Sequence, residues 1–160
     1  MTMSRGTLAG DPRRTGPVPP GGGQRRRLML AGVPQPVARA RAHTVQALDD
    51  WGGSPRHAED PGGGPADVVL VVAELVANAM LHGNGPLELV LDLTTARLRV
   101  EVSDRSPALP APRRPYAPAL PGGHGLVIVE RVADRWGAEA HAQGKTIWAE
   151  FDLVGPVLGG

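Results

Sequence analysis

The chain has 160 residues, no cysteine and a net charge of +1. That length suits one domain with a real core, and the missing cysteines exclude disulfides, zinc–thiolate centres and cysteine nucleophiles. Aromatic residues are limited to Trp51, Trp136, Trp148, Tyr116 and Phe151, so the core has to be built from Val, Leu, Ala and Ile.

Charge is unevenly spread. Residues 1–27 hold six arginines (Arg5, Arg13, Arg14, Arg25, Arg26, Arg27) against Asp11, a balance of +5, so the net +1 leaves −4 for the remainder. Residues 1 to about 24 are rich in Gly, Pro, Arg and Thr and lack periodicity. Such a segment buries too little apolar surface to offset its ordering entropy, and 1–27 reads as a disordered basic tail. Its arginines are scattered and lack interleaved aromatics, which argues against a nucleic-acid partner. No apolar segment follows them as in a signal peptide, and no apolar run reaches the roughly 18 residues of a membrane span. A cytoplasmic protein with no membrane partner is expected.

The ordered domain is expected over residues 28–155, followed by a short C-terminal tail, 156–160. Arg25 to Ala31 reads as a first strand. Pro34 to Asp50 has helical spacing at Val37, Ala40, Val45 and Leu48, and Gly52-Gly53-Ser54-Pro55 ends it. Residues 52–65 form a Gly/Pro-rich loop. A helix capped by Asp67 runs to about His82 and stops at Gly83-Asn84-Gly85-Pro86. Leu87–Leu93 and Arg97–Ser103 alternate as strands joined by the turn 94–96, a hairpin. Residues 106–123 carry six prolines and two glycines, which excludes a regular element and suggests a functional or mobile loop. Gly125 to Val132 reads as a helix ended by Trp136-Gly137, and Thr146–Leu153 as a last strand. The hairpin favours an α+β fold: a two-layer α/β sandwich with a mixed, mostly antiparallel sheet and helices packed on one face.

Three segments carry chemistry. In Glu74-Leu-Val-Ala-Asn78-Ala-Met-Leu-His82-Gly83, the residues Glu74, Asn78 and His82 fall at i, i+4 and i+8, one polar stripe on an otherwise apolar helix. Burying a carboxylate and an amide is costly unless something binds them. A metal carrying phosphates suits them. Asn78 offers an oxygen ligand for Mg²⁺, and Glu74, one turn back, is placed to orient or deprotonate a nucleophile. The plainer alternative is the solvent face of an amphipathic helix, with His82 pairing the last carbonyls. Next, Asp104 ends a strand. As an acceptor-only group it would take the amino group of adenine and reject guanine; the alternative is a turn-forming Asp. Last, Gly122-Gly123-His124-Gly125-Leu126 opens a helix and fits a phosphate-binding lid, or a hinge. It is no P-loop, because no Gly-Lys-Ser/Thr closes it, and Gly144-Lys145-Thr146 opens a strand.

These segments, in this order and spacing, resemble the ATPase superfamily of gyrase, histidine kinases and MutL. Over roughly residues 28–153 the chain is most similar to the small anti-sigma-factor serine kinases. The ending Trp136-Gly137 … Gly144-Lys145-Thr146-Ile147-Trp148 resembles that of stand-alone actinobacterial members. The resemblance implies ATP and Mg²⁺ as cofactors: Asn78 on the metal, Glu74 as catalytic base, and Asp104 on the adenine amino group with Thr146 assisting. Gly123 and Gly125 would donate lid amides to phosphate, with His82 and Leu126 counted among the nucleotide-binding residues. Ser106 and Ala108 stand where the family commonly has glycines, and Pro121 where its kinases often have arginine.

The expected function is a Mg-ATP-binding regulatory protein acting as a serine/threonine kinase on a partner in a partner-switching system. The partner would be a sigma factor or an anti-sigma-factor antagonist, and a homodimer is expected by resemblance. The alternative is a catalytically inactive, nucleotide-dependent protein-binding module.

Overall fold

A computed structural model describes residues 24–52, 64–110 and 123–153. Along the chain run β1 (Gln24–Met29), α1 (Pro36–Asp50), α2 (Pro65–His82), β2 (Pro86–Leu93), β3 (Arg97–Asp104), α3 (Gly123–Val132), β4 (Arg135–His141) and β5 (Gly144–Asp152). The five strands form one sheet in the order β1-β2-β3-β5-β4. Each of its four pairings is antiparallel. The helices cover the face that carries Leu89, Leu91, Leu98, Val100, Val102, Ile147, Ala149 and Phe151, giving the expected two-layer α+β architecture.

α2 is the central element. Pro65 sits at its first turn behind Gly64, where a missing N–H costs nothing. Four of its buried residues are valines (Val68, Val71, Val72, Val76), poor helix formers whose burial outweighs their propensity: each fully buried Val or Leu side chain contributes about 1.5–3 kcal/mol. By length and composition α2 is apolar enough to cross a membrane, which corrects the expectation that no run reaches that length. Its apolar side is instead packed into the domain core, as in the core helix of a layered protein. α1 packs beside it through Ala40, Thr44, Ala47 and Leu48.

α2 starts earlier than expected: its N-cap is Gly64, and Asp67 lies in the first turn rather than capping it. Other boundaries differ as well. The basic segment 1–27 does not end where the fold begins: Gln24–Arg27 belong to β1, while residues 1–23 lie outside the described residues. Arg25, Arg26 and Arg27 are ion-paired with Asp92, Asp50 and Glu88. Arg26 also lies over the Trp51 ring, and the Trp51 indole N–H donates to Gln24 Oε1, which fastens β1 to the end of α1. Trp136-Gly137 does not merely close a helix. It lies inside β4, an edge strand that the sequence reading missed. The loop and tail readings for 53–63, 111–122 and 154–160 fall outside the described residues.

Candidate functional site

Glu74, Asn78 and His82 lie at successive turns of one face of α2. Burial differs along the stripe. Asn78 is 7% exposed and is the one polar residue among the buried side chains of the helix. Glu74 is half-buried and His82 exposed. The face is therefore neither a plain solvent face nor wholly enclosed: it grades from an exposed end to a buried carboxamide.

The chain leaves α2 through a tight turn that carries β3 to the same end of the helix. Asn84 and Gly85 take positive φ (60° and 104°), a conformation Asn and Gly tolerate best. The Arg105 N–H donates to the Gly83 carbonyl at 2.9 Å. Gly83 is required by proximity: a Cβ there would lie 2.5 Å from Asp104 Oδ2. Asp104 is thus pressed against the end of the Asn78 helix, at the mouth of the sheet, and is 1% exposed.

Asp104 forms the turn expected of one reading of its position. Its Oδ1 accepts the Ser106 N–H at 2.9 Å, an Asx turn. Ser106 is buried and its Oγ accepts the Ala108 N–H at 3.3 Å. Neither residue has positive φ, so the turn forms without the glycines common in the family. Asp104 also faces a cation. Lys145, its register partner on β5 and 2% exposed, places Nζ 3.1 Å from Oδ1 and 3.0 Å from Oδ2. Nζ donates as well to the Ser106 carbonyl at 3.3 Å.

Thr146 does not join this group. It pairs with Ser103 across β3 and β5, on the face opposite Asp104. Its hydroxyl shares hydrogen bonds with Ser103 Oγ (2.8 Å) and His141 Nε2 (3.0 Å). Adjacent strand residues point to opposite faces, so the residue beside Asp104 is Lys145, and Thr146 lies on the other face of the sheet. The missed residue had a signal: Lys145 shares parity with Ile147, Ala149 and Phe151, which all face the core.

α3 begins at Gly123, two residues earlier than expected, so Gly123 and Gly125 both lie in its first turn. Leu126 is half-buried and packs against the core. The helix packs on α2, which brings its first-turn amides to the same layer as Asn78. Pro121 lies outside the described residues. Two clefts, of about 500 and 540 Å³, lie along α1 and α2. One is lined by Gln35, Pro36, Val37, Arg41 and Met80, the other by Val45, Leu48, Val69 and Leu70, and neither involves Glu74, Asn78 or Asp104.

The residues present fit a metal–nucleotide group of a particular kind. Among the described residues no cluster of three or more His, Cys, Asp or Glu could cage a metal. A lone buried carboxamide oxygen suits Mg²⁺, which binds through one or two protein ligands plus substrate phosphates and water. The free amides of a glycine-opened helix suit phosphate.

A sheet layered with three helices, an Asn-bearing central helix and a strand-end Asp at its foot define an ATPase domain of the gyrase, histidine kinase and MutL type. Residues 31–151 match the model of the histidine kinase-like ATPase domain. The chain belongs to that family, and membership suggests ATP binding. A search of curated proteins found no match.

Proposed function

We propose that this protein is a Mg-ATP-dependent serine/threonine kinase that regulates a protein partner by partner switching, in the manner of anti-sigma-factor kinases. The observation that carries the reading is Asn78: a carboxamide almost wholly buried on the central helix of an ATPase-type domain, one turn from the carboxylate of Glu74. Asn78 would hold Mg²⁺, which would supply positive charge against the phosphates of a bound nucleotide. Glu74 accepts the proton of a serine hydroxyl on the partner. As that oxygen bonds to the terminal phosphorus, the bond to the β–γ bridging oxygen breaks and ADP departs. Catalysis in such a site comes from positioning and fixed charge. The partner is a sigma factor or an anti-sigma-factor antagonist, and the setting is cytoplasmic.

Calorimetric titration of ATP with and without Mg²⁺, on wild type and Asn78→Ala, tests the nucleotide site. Binding that needs Mg²⁺ and is lost in the variant supports it; equal binding by both proteins sinks the role of Asn78. Transfer of labelled phosphate to candidate antagonists tests the kinase. Equal transfer with and without Glu74 removes its catalytic role. A second reading, a docking module in which ATP shapes a surface and no phosphate moves, is favoured by the engagement of Asp104 with Lys145. It is the outcome when ATP binds and Glu74→Ala changes no phosphate transfer because none occurs.

A further inference from the structure

The outer surface of α1 carries a stripe that the candidate nucleotide site does not use. Arg41, Val45 and Asp49 fall at i, i+4 and i+8, and all three are exposed. They stand along one furrow. One cleft joins the start of α1 to the end of α2 at Met80, and the other joins the end of α1 to the start of α2 at Leu70. The two helices therefore run antiparallel, and Arg41 lines both clefts. The furrow is mainly apolar, and its apolar residues are not covered: Val45, Leu70 and Met80 are 48%, 38% and 48% exposed. A continuous apolar strip of this kind marks a contact surface, where single exposed apolar residues do not.

The charges on the stripe say what covers it. Asp50 is held by Arg26 and Gln46, and Arg25, Arg26 and Arg27 are all ion-paired. Among the described residues, neither the Arg41 nor the Asp49 side chain has an ion pair or a hydrogen bond. Asp49 is also poorly placed for α1 itself. An acid in the last turn opposes the helix dipole, and that turn has no base to offset it. A second α1, laid antiparallel across the first on a two-fold axis through Val45, supplies what both residues lack. Arg41 and Asp49 lie four residues to either side of Val45, so Arg41 of each copy faces Asp49 of the other. The two valines meet on the axis, and the apolar walls of the furrows cover one another. A two-fold contact demands a patch that complements itself in this way. We propose that the furrow between α1 and α2 is the contact surface of a homodimer, with Arg41 and Asp49 paired reciprocally about Val45. Neither cleft involves Glu74, Asn78 or Asp104. The contact leaves the polar stripe of α2 open and does not depend on what binds there.

The test is sedimentation equilibrium of the full chain at low ionic strength, from micromolar to submillimolar concentration. Wild type is expected to show a reversible monomer–dimer equilibrium. Arg41→Asp sets like charges face to face, twice over by symmetry, and is expected to weaken the dimer at least about tenfold. Asp49→Arg is expected to do the same. The two substitutions together restore opposite charges and should return the affinity to within about threefold of wild type. Both side chains are exposed, so the variants keep the fold, which circular dichroism checks. Val45→Glu, at the axis, is the second variant should a charge reversal disturb α1, and it is expected to abolish the dimer. A wild type that stays monomeric throughout overturns the proposal and leaves the furrow to a helix of another protein or to residues 1–23. Single variants that dimerise as well as wild type overturn it by placing the contact elsewhere. A double variant no tighter than the single ones overturns the reciprocal pairing.

Discussion

Lys145 Nζ lies 3.0 Å from Asp104 Oδ2, and both side chains are almost entirely out of water. Removing one member of such a pair strands the other charge in the interior. Lys145→Ala is therefore expected to cost about 3–5 kcal/mol, whereas exposed ion pairs contribute about 0–1 kcal/mol. Urea unfolding of the two proteins measures this. A loss below about 1 kcal/mol would show that the pair is solvated in solution.

Gly83 makes the second prediction. It is buried, and any side chain there meets the Asp104 carboxylate within 2.5–2.7 Å. Its φ of −110° is ordinary, so the obstacle is steric and not conformational. Gly83→Ala should destabilise by about 1–3 kcal/mol, the usual range for overpacking, and should weaken nucleotide binding by displacing Asp104. Gly85→Ala, two residues on, tests a different cause: φ is +104° there and the nearest contact is the guanidinium end of Arg105. A Gly83→Ala protein with wild-type stability and wild-type affinity would remove Asp104 from the base site.

His43 gives a pH dependence. Burial first, and the charge of Arg26 second, hold its imidazole below the usual value of 6.5. Its Nε2 is buried with no hydrogen-bond partner among the described residues. The unfolded chain then binds protons that the folded chain refuses. Stability is fully present above pH 6.5 and is lost as pH falls below it. Two carboxylates are shifted in opposite directions. Burial raises Asp92, while Glu150, opposed by its own burial, is lowered by hydrogen bonds from Arg99 and Arg135. Thermal melting between about pH 7.5 and 5.5 should show a fall in Tm that His43→Leu reduces. A wild-type and a variant curve of the same slope would show that His43 does not titrate differently in the two states.

The sequence was most legible where local and tertiary signals agreed. The C-terminal end of α2 at Gly83, its buried valine side, and the β2–β3 hairpin, with clean alternation, were readable within a residue or two, whereas the start of α2 was placed three residues late, with Asp67 read as the cap where Gly64 is. The stripe of Glu74, Asn78 and His82 was readable too, because polar residues at helical spacing stand out in an apolar run. β4 was not readable. Arg135-Trp-Gly-Ala-Glu-Ala-His141 has weak strand propensity and is mostly half-buried or exposed, and it owes its structure to pairing with β5 rather than to its own residues. Gly137 is a product of that pairing, since a Cβ there would lie 2.6 Å from the Trp148 ring. Thr146 lies one residue from the β5 position that faces Asp104. A hydroxyl in Gly144-Lys145-Thr146 looked like the polar partner of a base, but side-chain period two turns a one-residue shift into a change of face. The pairing of Lys145 with Asp104 depends on which residues of β3 and β5 stand opposite one another, and no local pattern specifies that.

The stripe on α2 supplies the last prediction, because structural and functional roles for Asn78 imply opposite signs. A carboxamide retained for packing has partners in the folded chain, and deleting it costs about 1–3 kcal/mol. A carboxamide retained to meet a metal is a burden on the unliganded protein, since polar burial is unfavourable unless satisfied. Asn78→Leu keeps the volume close and removes the polar group. Without nucleotide, the variant should be as stable as wild type or up to about 2 kcal/mol more stable, while Mg-dependent ATP binding is lost. Wild type, but not the variant, should gain stability when Mg-ATP is added, by about 2.7 kcal/mol at a hundred times Kd. Denaturant unfolding of both proteins, with and without Mg-ATP, reads both quantities in one experiment. A variant destabilised by more than about 1 kcal/mol in the absence of nucleotide would place Asn78 in the architecture of the helix. The polar stripe would then need no ligand to explain it.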